Sequence, residues 1–139
     1  MVNQQFTFAV HIMIALAFSP EEVIGSQTLA ASVNTNPVVV RRLLLALRRA
    51  RLIETFAGKH GGARLRKKPN RISLVDIYDA VESRPVILIN ERKALRQCRV
   101  SCNMKSIMSG VAESTEQAVR EHLRGITLAQ LVHKVHPRR

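Results

Sequence analysis

Residues 34–49 read NTNPVVVRRLLLALRR, and the reading of this stretch decides the fold. Asn36 offers a side-chain oxygen to the orphan N–H groups of a first helical turn. Pro37 suits the first helical position because it has no N–H to leave unsatisfied. Val40, Leu43, Leu44 and Leu47 then recur at helical spacing and predict a buried stripe, which leaves Val38, Arg41, Arg42, Leu45, Arg48 and Arg49 to the flanks and the outer face. Two arginine pairs on such a face fit either plain solvation or the reading helix of a DNA-binding domain, and the motif alone does not separate the two.

The rest of the composition favours the second. The chain has 139 residues, enough for one domain with its own core, and 46% of them are hydrophobic, which predicts a folded protein. Twenty-two Lys and Arg stand against ten Asp and Glu, a formal charge of +12 with an isoelectric point near 11.2. A polyanion is a better partner for such a chain than an acidic small molecule. The charge is also concentrated: Arg41, Arg42, Arg48, Arg49, Arg51, Lys59, Arg64, Arg66, Lys67, Lys68 and Arg71 fall in one stretch with a single acid, Glu54. Four Phe, one Tyr and no Trp supply little stacking material, which speaks against a single-strand platform and for duplex binding through helices.

Upstream of residue 34, residues 26–33 predict a short helix with Ser26 as its N-cap, and Ala30 and Ala31 permit close approach of a neighbour. Residues 3–19 predict a first helix with Phe6, Val10, Ile14 and Ala17 on one face and Ile12, Met13 and Leu16 close by. Apolar nearly all round, it belongs in a core or a subunit interface. Its apolar stretch, 8–18, is too short for a membrane span and lacks a signal peptide's basic leader, so a cytoplasmic protein with no membrane partner is expected. The order helix, tight polar turn, basic helix is that of a helix-turn-helix, whose second helix enters the major groove.

Downstream, residues 52–56 and 63–67 read as strands around the glycine-rich turn 57–62, a hairpin wing with Lys59 and His60 at its tip. The turn opens a strand rather than a helix, so it is no phosphate-cradling loop. Residues 73–82 predict a helix capped by Ser73 with Leu74, Ile77, Tyr78 and Val81 inward. Residues 84–96 are irregular and read as a linker, with Val86 to Ile89 a candidate strand or contact segment. A long helix is expected over 101–123, with Met104, Ile107, Met108, Val111, Thr115, Ala118, Val119 and His122 at spacings of three and four across Gly110. It would pack against its twin or cover the first helix. A glycine stop at Gly125, a short last helix to Val132 and a basic tail over 133–139 complete the chain. The expected architecture is mainly α with a small β-hairpin: a winged helix-turn-helix domain over 1–83, a linker over 84–100, and a dimerisation helix with the last helix over 101–139.

The segments VNTNPVVVRR (33–42), GKHGG (58–62), ISLVDIYDAVE (72–82) and ITL (126–128) resemble, in order and over nearly the whole chain, the Rrf2 family of bacterial winged-helix regulators, to which IscR, NsrR and CymR belong. VNTNPVVVRR is most similar to the YwnA-like branch, which carries no iron–sulfur cluster. The resemblance implies a homodimeric, nucleoid-associated transcription factor, usually a repressor, whose long helix crosses its twin on a pseudo-palindromic duplex operator. It also implies that Val38 and Arg41 face base edges while the hairpin enters the minor groove. The expected DNA-binding set is Ser26, Gln27, Asn34, Thr35, Asn36, Val38, Arg41, Arg42, Lys59, His60 and Arg64.

Two departures bear on chemistry. Cluster-binding relatives carry three closely spaced cysteines ahead of the dimer helix, whereas this chain has Cys98 and Cys102, and two thiolates do not complete four-thiolate ligation. Cys98-Arg99-Val100-Ser101 instead resembles the Cys-Pro-Val-Gly motif of relatives without a cluster. Ala57 stands where those cluster-binding relatives often place an arginine, a role left to Lys59, His60 or Arg64. No metal or other cofactor is expected: an iron–sulfur cluster is disfavoured by the two cysteines and would need His60, His122 or a carboxylate as further ligands, and Cys98 and Cys102 do not have zinc-site spacing, with the histidines far off in sequence. The flanking Arg96 and Arg99 make Cys98 and Cys102 candidate redox sensors, with two plain structural thiols as the other reading. No convergent nucleophile or acid–base set marks an enzyme. Charge alone also permits a basic RNA- or ribosome-associated protein, which competition between duplex DNA and structured RNA would separate.

Overall fold

Eight regular elements and one 3-10 turn organise the computed structural model, which describes residues 4–82 and 84–135. Asn3 of the expected first helix, Ser83 at the expected domain boundary and residues 136–139 of the basic tail lie outside the described residues. The chain forms two units, Met1–Glu82 with Leu123–Arg139, and Ser83–His122. The first is discontinuous in sequence.

The core of the first unit forms around three helices: α1 (Gln5–Phe18), α2 (Ser26–Val33) and α3 (Pro37–Arg49). In α3 the stripe falls as its spacing predicts, with Val40, Leu43, Leu44 and Leu47 buried. The face of α1 differs from expectation. Ala9, Ile12, Met13, Leu16 and Ala17 are buried, while Phe6, Val10 and Ile14 pack at the margin. A helix that is apolar all round carries almost no amphipathic signal, so its phase is set by its neighbours and not by its own periodicity. Phe6 meets Tyr78 edge to face, centroids 5.6 Å apart at 84°, and His11 Nε2 shares a hydrogen bond of 2.9 Å with Ser32 Oγ.

Left-handed residues set both ends of the reading segment. Asn34, at φ 64°, closes α2 with its N–H donating to the Ala30 carbonyl, and Asn is the non-glycine residue that tolerates this conformation best. Asn36 then caps α3, its Oδ1 accepting the Val38 N–H at 2.8 Å. At the other end Arg51 takes φ 62°. Its N–H donates to Arg48 O at 2.9 Å and the next, Leu52 N–H, to Leu47 O at 3.1 Å. That pair of bonds is a Schellman closure with arginine in the position glycine usually holds.

The chain leaves α3 into the antiparallel hairpin of β1 (Ile53–Phe56) and β2 (Gly62–Leu65), paired Ile53 to Leu65 through Phe56 to Gly62. The hairpin is fastened to the segment ahead of α2 by two backbone bonds of 2.9 Å between Ile24 and Ala63. Gly62 permits this docking: a Cβ there would stand 2.2 Å from the Ile24 carbonyl oxygen. After a 3-10 turn at Pro69–Arg71 comes α4 (Leu74–Val81), with Leu74, Val75, Ile77 and Val81 buried and Tyr78 half-buried.

Two capping boxes face each other. Ser73 Oγ accepts from Asp76 N while Asp76 Oδ2 accepts from Ser73 N, and Thr127 and Gln130 repeat the exchange ahead of α6 (Leu128–Val132). The two N-caps form an antiparallel bridge, Leu74 N to Ile126 O at 2.9 Å and Leu128 N to Ile72 O at 2.8 Å. Ile72 and Leu128 are wholly buried, and α6 packs on α1. The last helix is therefore part of the first unit's core, whereas the expected boundary grouped all of 101–139 together. The sequence of α6 is too short to show which partner it covers.

The second unit holds residues 84–98, which form turns and extended chain without a strand, and most of α5 (Arg99–Arg124). This helix buries no residue, and Val100, Met104, Ile107 and Val111 are each at least 40% exposed. Among the described residues no helix is long and apolar enough to cross a membrane.

Candidate nucleic-acid interface

The buried stripe of α3 fixes what faces outward. With Val40, Leu43, Leu44 and Leu47 held in the core, Arg41, Arg42, Arg48 and Arg49 are exposed, as are Val38 (51%) and Leu45 (41%). Arg41 and Arg48 are seven residues apart, two helical turns or about 10 Å along one face. Positive charge is thus spread along the helix while its capped N-terminus, at Asn36 and Pro37, carries partial positive charge of its own.

Between α3 and the hairpin lies a groove of about 350 Å³. Ser26, Arg41, Leu45 and Arg48 line its helical side, and Thr55, Phe56, Gly58, Gly61 and Gly62 its hairpin side. The hairpin tip turns through Gly58, at φ 97°, and presents Lys59 and His60 to solvent.

The expected set is brought together unevenly. Ser26 and Arg41 share the groove, and Val38 and Arg42 lie exposed on the same helix. Ser26 was expected to cap α2; Gly25 holds that position, and the Ser26 hydroxyl at the first helical turn is left to the groove. Gln27 is exposed beside it and Thr35 is half-buried in the turn. Asn34 and Asn36 both serve the backbone, as the left-handed closure and the N-cap described above. Arg64 is engaged within the hairpin: paired across the strands with Glu54, it donates to Glu54 Oε1 from Nη2 at 2.8 Å and from Nε at 3.1 Å. Its guanidinium also lies 5.0 Å from the centroid of Phe56. With both side chains more than a third exposed, the pair is worth at most about 1 kcal/mol, but it fixes where the Phe56 ring stands.

Sequence reasoning missed Leu45, Thr55 and Phe56 as groove residues and placed Arg48 on the outer face without including it in the DNA-binding set. The seven-residue spacing of Arg41 and Arg48 was a signal for the latter. Nothing local marks Phe56, whose place in the groove depends on how the hairpin docks.

In the second unit Cys98 is half-buried and Cys102 exposed, both as free thiols. Cys98 immediately precedes α5, and its Sγ accepts the Ser101 N–H at 3.4 Å. Cys102 Sγ donates to the carbonyls of Leu95 and Arg96 at 3.5 and 3.6 Å.

Residues 2–134 match the family profile described as Rrf2, iron-dependent transcriptional regulator. The chain is 32% identical over 132 residues to YwnA of Bacillus subtilis (strain 168), described as an HTH-type transcriptional regulator, covering 95% of this chain and 97% of YwnA. A crystal structure of a transcriptional regulator from Lactobacillus plantarum superposes with a TM-score of 0.80 at 24% identity, covering 92% of this chain and 87% of that one. The structure of CymR, the global cysteine regulator of B. subtilis, superposes with a TM-score of 0.70 at 23% identity, with 98% of each chain covered.

Proposed function

The chain belongs to the Rrf2 family of transcriptional regulators, and from that premise we propose that it is a homodimeric repressor that reads a pseudo-palindromic duplex operator with the exposed face of α3 and the hairpin beside it. The observation that carries the reading is Arg41, exposed at the mouth of the groove between a capped, core-anchored helix and a glycine-rich wing. A regulator of this family is not an enzyme, and its chemistry is recognition.

Dimerisation comes first. Val100, Met104, Ile107 and Val111 recur at steps of four, three and four, the seam of a coiled coil, and they are exposed in the single chain. Pairing two copies of α5 along that seam would place the two α3 helices in successive major grooves, roughly 34 Å apart. Arg41 would donate two hydrogen bonds to guanine O6 and N7, and Val38 or Thr35 would meet a thymine methyl or base edge. Ser26, Gln27, Arg42, Arg48, Lys59 and His60 would fix the phosphate backbone, which sets register without reading sequence. Asn34 and Asn36 act mainly by shaping the turn, and Arg64 by holding Phe56 in the groove. Such a protein works in the cytoplasm, on the nucleoid.

The family description speaks of iron, and this chain's donors do not fit a four-thiolate cluster. It has two cysteines, both thiols are hydrogen bonded, and among the described residues no three His, Cys, Asp or Glu side chains stand together as a metal site. A thiol signal fits better. Modification of Cys98 by an electrophile would remove the acceptor that caps the start of α5.

A binding titration tests the base-reading assignment. Arg41→Ala is expected to cost about 1–3 kcal/mol on the specific operator and to relax preference at one base pair. Lys59→Ala should weaken specific and random duplexes alike and flatten the salt dependence. Equal loss on specific and random DNA for Arg41→Ala removes Arg41 from base reading, and preference for structured RNA over the duplex overturns the proposal as a whole.

A further inference from the structure

The second unit carries an open cleft of its own. Residues 84–98 run as a strap over the first turns of α5, and between them lies a space of about 450 Å³, within the range of sites that hold small organic ligands. The strap is pinned rather than loose. Leu95 N–H donates to Ser101 Oγ at 2.8 Å, Cys98 N–H to Leu95 O at 3.0 Å, and Glu91 pairs with Lys105 at 2.8 Å. An Asx turn at Asn90, whose Oδ1 accepts the Arg92 N–H at 3.0 Å, bends the chain between those ties. A connection this long without regular structure is uncommon in a compact protein unless it has work to do.

The lining is divided by chemistry. Leu88, Ile89 and Met108 give apolar walls, with Met104, a residue of the proposed α5 seam, at the edge, while Arg92 and Lys93 bring two cations to the same space. Neither cation has an ion-pair partner among the described residues, whereas Lys105 is already neutralised by Glu91. A wholly apolar occupant would desolvate Arg92 and Lys93 without repayment, and a small inorganic anion would leave the methionine and leucine side chains wet. An anion with an apolar body satisfies both, because a charged hydrogen bond fixes its head and burial holds its tail.

We propose that the cleft between the strap and α5 is a binding site for a small amphipathic organic anion, with a monocarboxylate as the simplest member of the class. The ligand would bridge the strap, which is the covalent path from α4 to α5, to the dimerisation helix itself. The proposal concerns ligand binding alone and does not rest on the DNA-binding reading.

The test uses the full-length protein with carbon-13-labelled methionine methyl groups, without DNA, titrated with hexanoate, octanoate and phenylacetate and, as uncharged matches, hexanol, octanol and 2-phenylethanol. At least one carboxylate is expected to shift Met108 saturably, at least tenfold more tightly than its alcohol, with Met13 in the core of the other unit unmoved. The double variant Arg92→Gln, Lys93→Gln should weaken that carboxylate tenfold or more and leave the alcohol unchanged. The site is overturned if no carboxylate gives a saturable shift of Met108, if acid and alcohol bind equally, if Met13 moves along with Met108, or if the double variant binds the carboxylate as the parent does.

Discussion

Two helices, α3 and α5, each combine charge with an apolar stripe, and they settle their apolar surface in opposite ways. In α3 four large aliphatic side chains are buried against the rest of the first unit, so the helix is held in cis and its cationic face is free for a polyanion. In α5, twice as long, nothing is buried, and the seam from Val100 to Val111 lies open to solvent. On the proposed dimer, the contrast separates a helix that is complete within one chain from one that a second copy would complete. Stability of the first unit should then be independent of protein concentration, while whatever α5 contributes should follow mass action.

The sharpest way to break this contrast is to charge the seam. Ile107→Asp with Val111→Asp should abolish the dimer in sedimentation analysis. It should also lower affinity for the full operator by about a thousandfold or more, toward the non-specific level, because one half-site remains. A variant that stays dimeric would place the interface elsewhere. Next in size is Gly62→Ala, which forces a methyl group into the Ile24 carbonyl. It should cost roughly 2–4 kcal/mol in denaturant titrations, equally at low and high protein concentration. Arg51→Gly should raise the stability of the same unit by about 1 kcal/mol, since the left-handed end of α3 then carries no side-chain penalty. Smallest is Gly110→Ala. A Cβ there meets nothing within the chain, so the change should stabilise α5 by about 0.5–1 kcal/mol, read as a small rise in Tm. A loss in place of that gain would mean that the partner helix crosses close to Gly110.

The same contrast explains what could be read from the sequence alone. Asn36, Pro37 and the Val40–Leu47 stripe specify α3 by local chemistry and amphipathic phase, so both its limits and its buried face follow from the sequence. The hairpin was legible for the same reason: short β-rich runs flank a glycine turn. Where local signal is absent the outcome depends on tertiary contacts. The phase of α1 was lost because every face of it is apolar, and α6 is a single turn or so whose attachment depends on the Ser73–Thr127 bridge. Phe56 joins the groove only because Gly62 lets the hairpin dock against Ile24 and because Arg64 holds the ring. The strap over α5 could be recognised as irregular, but not as one wall of a cleft, since that depends on side-chain ties from Ser101 and Lys105 across the chain.

The bridge between the two capping boxes also dictates the order of events during synthesis. Ile72 and Leu128 seal one another in the same core, yet the whole second unit is made between them. The DNA-reading unit therefore cannot finish folding while the chain is growing through α5. It closes only after α6 has been delivered. A chain cut short within α5 lacks α6 altogether, so Ile72 is left without the Leu128 side chain against it and the core of the first unit stays open on that side.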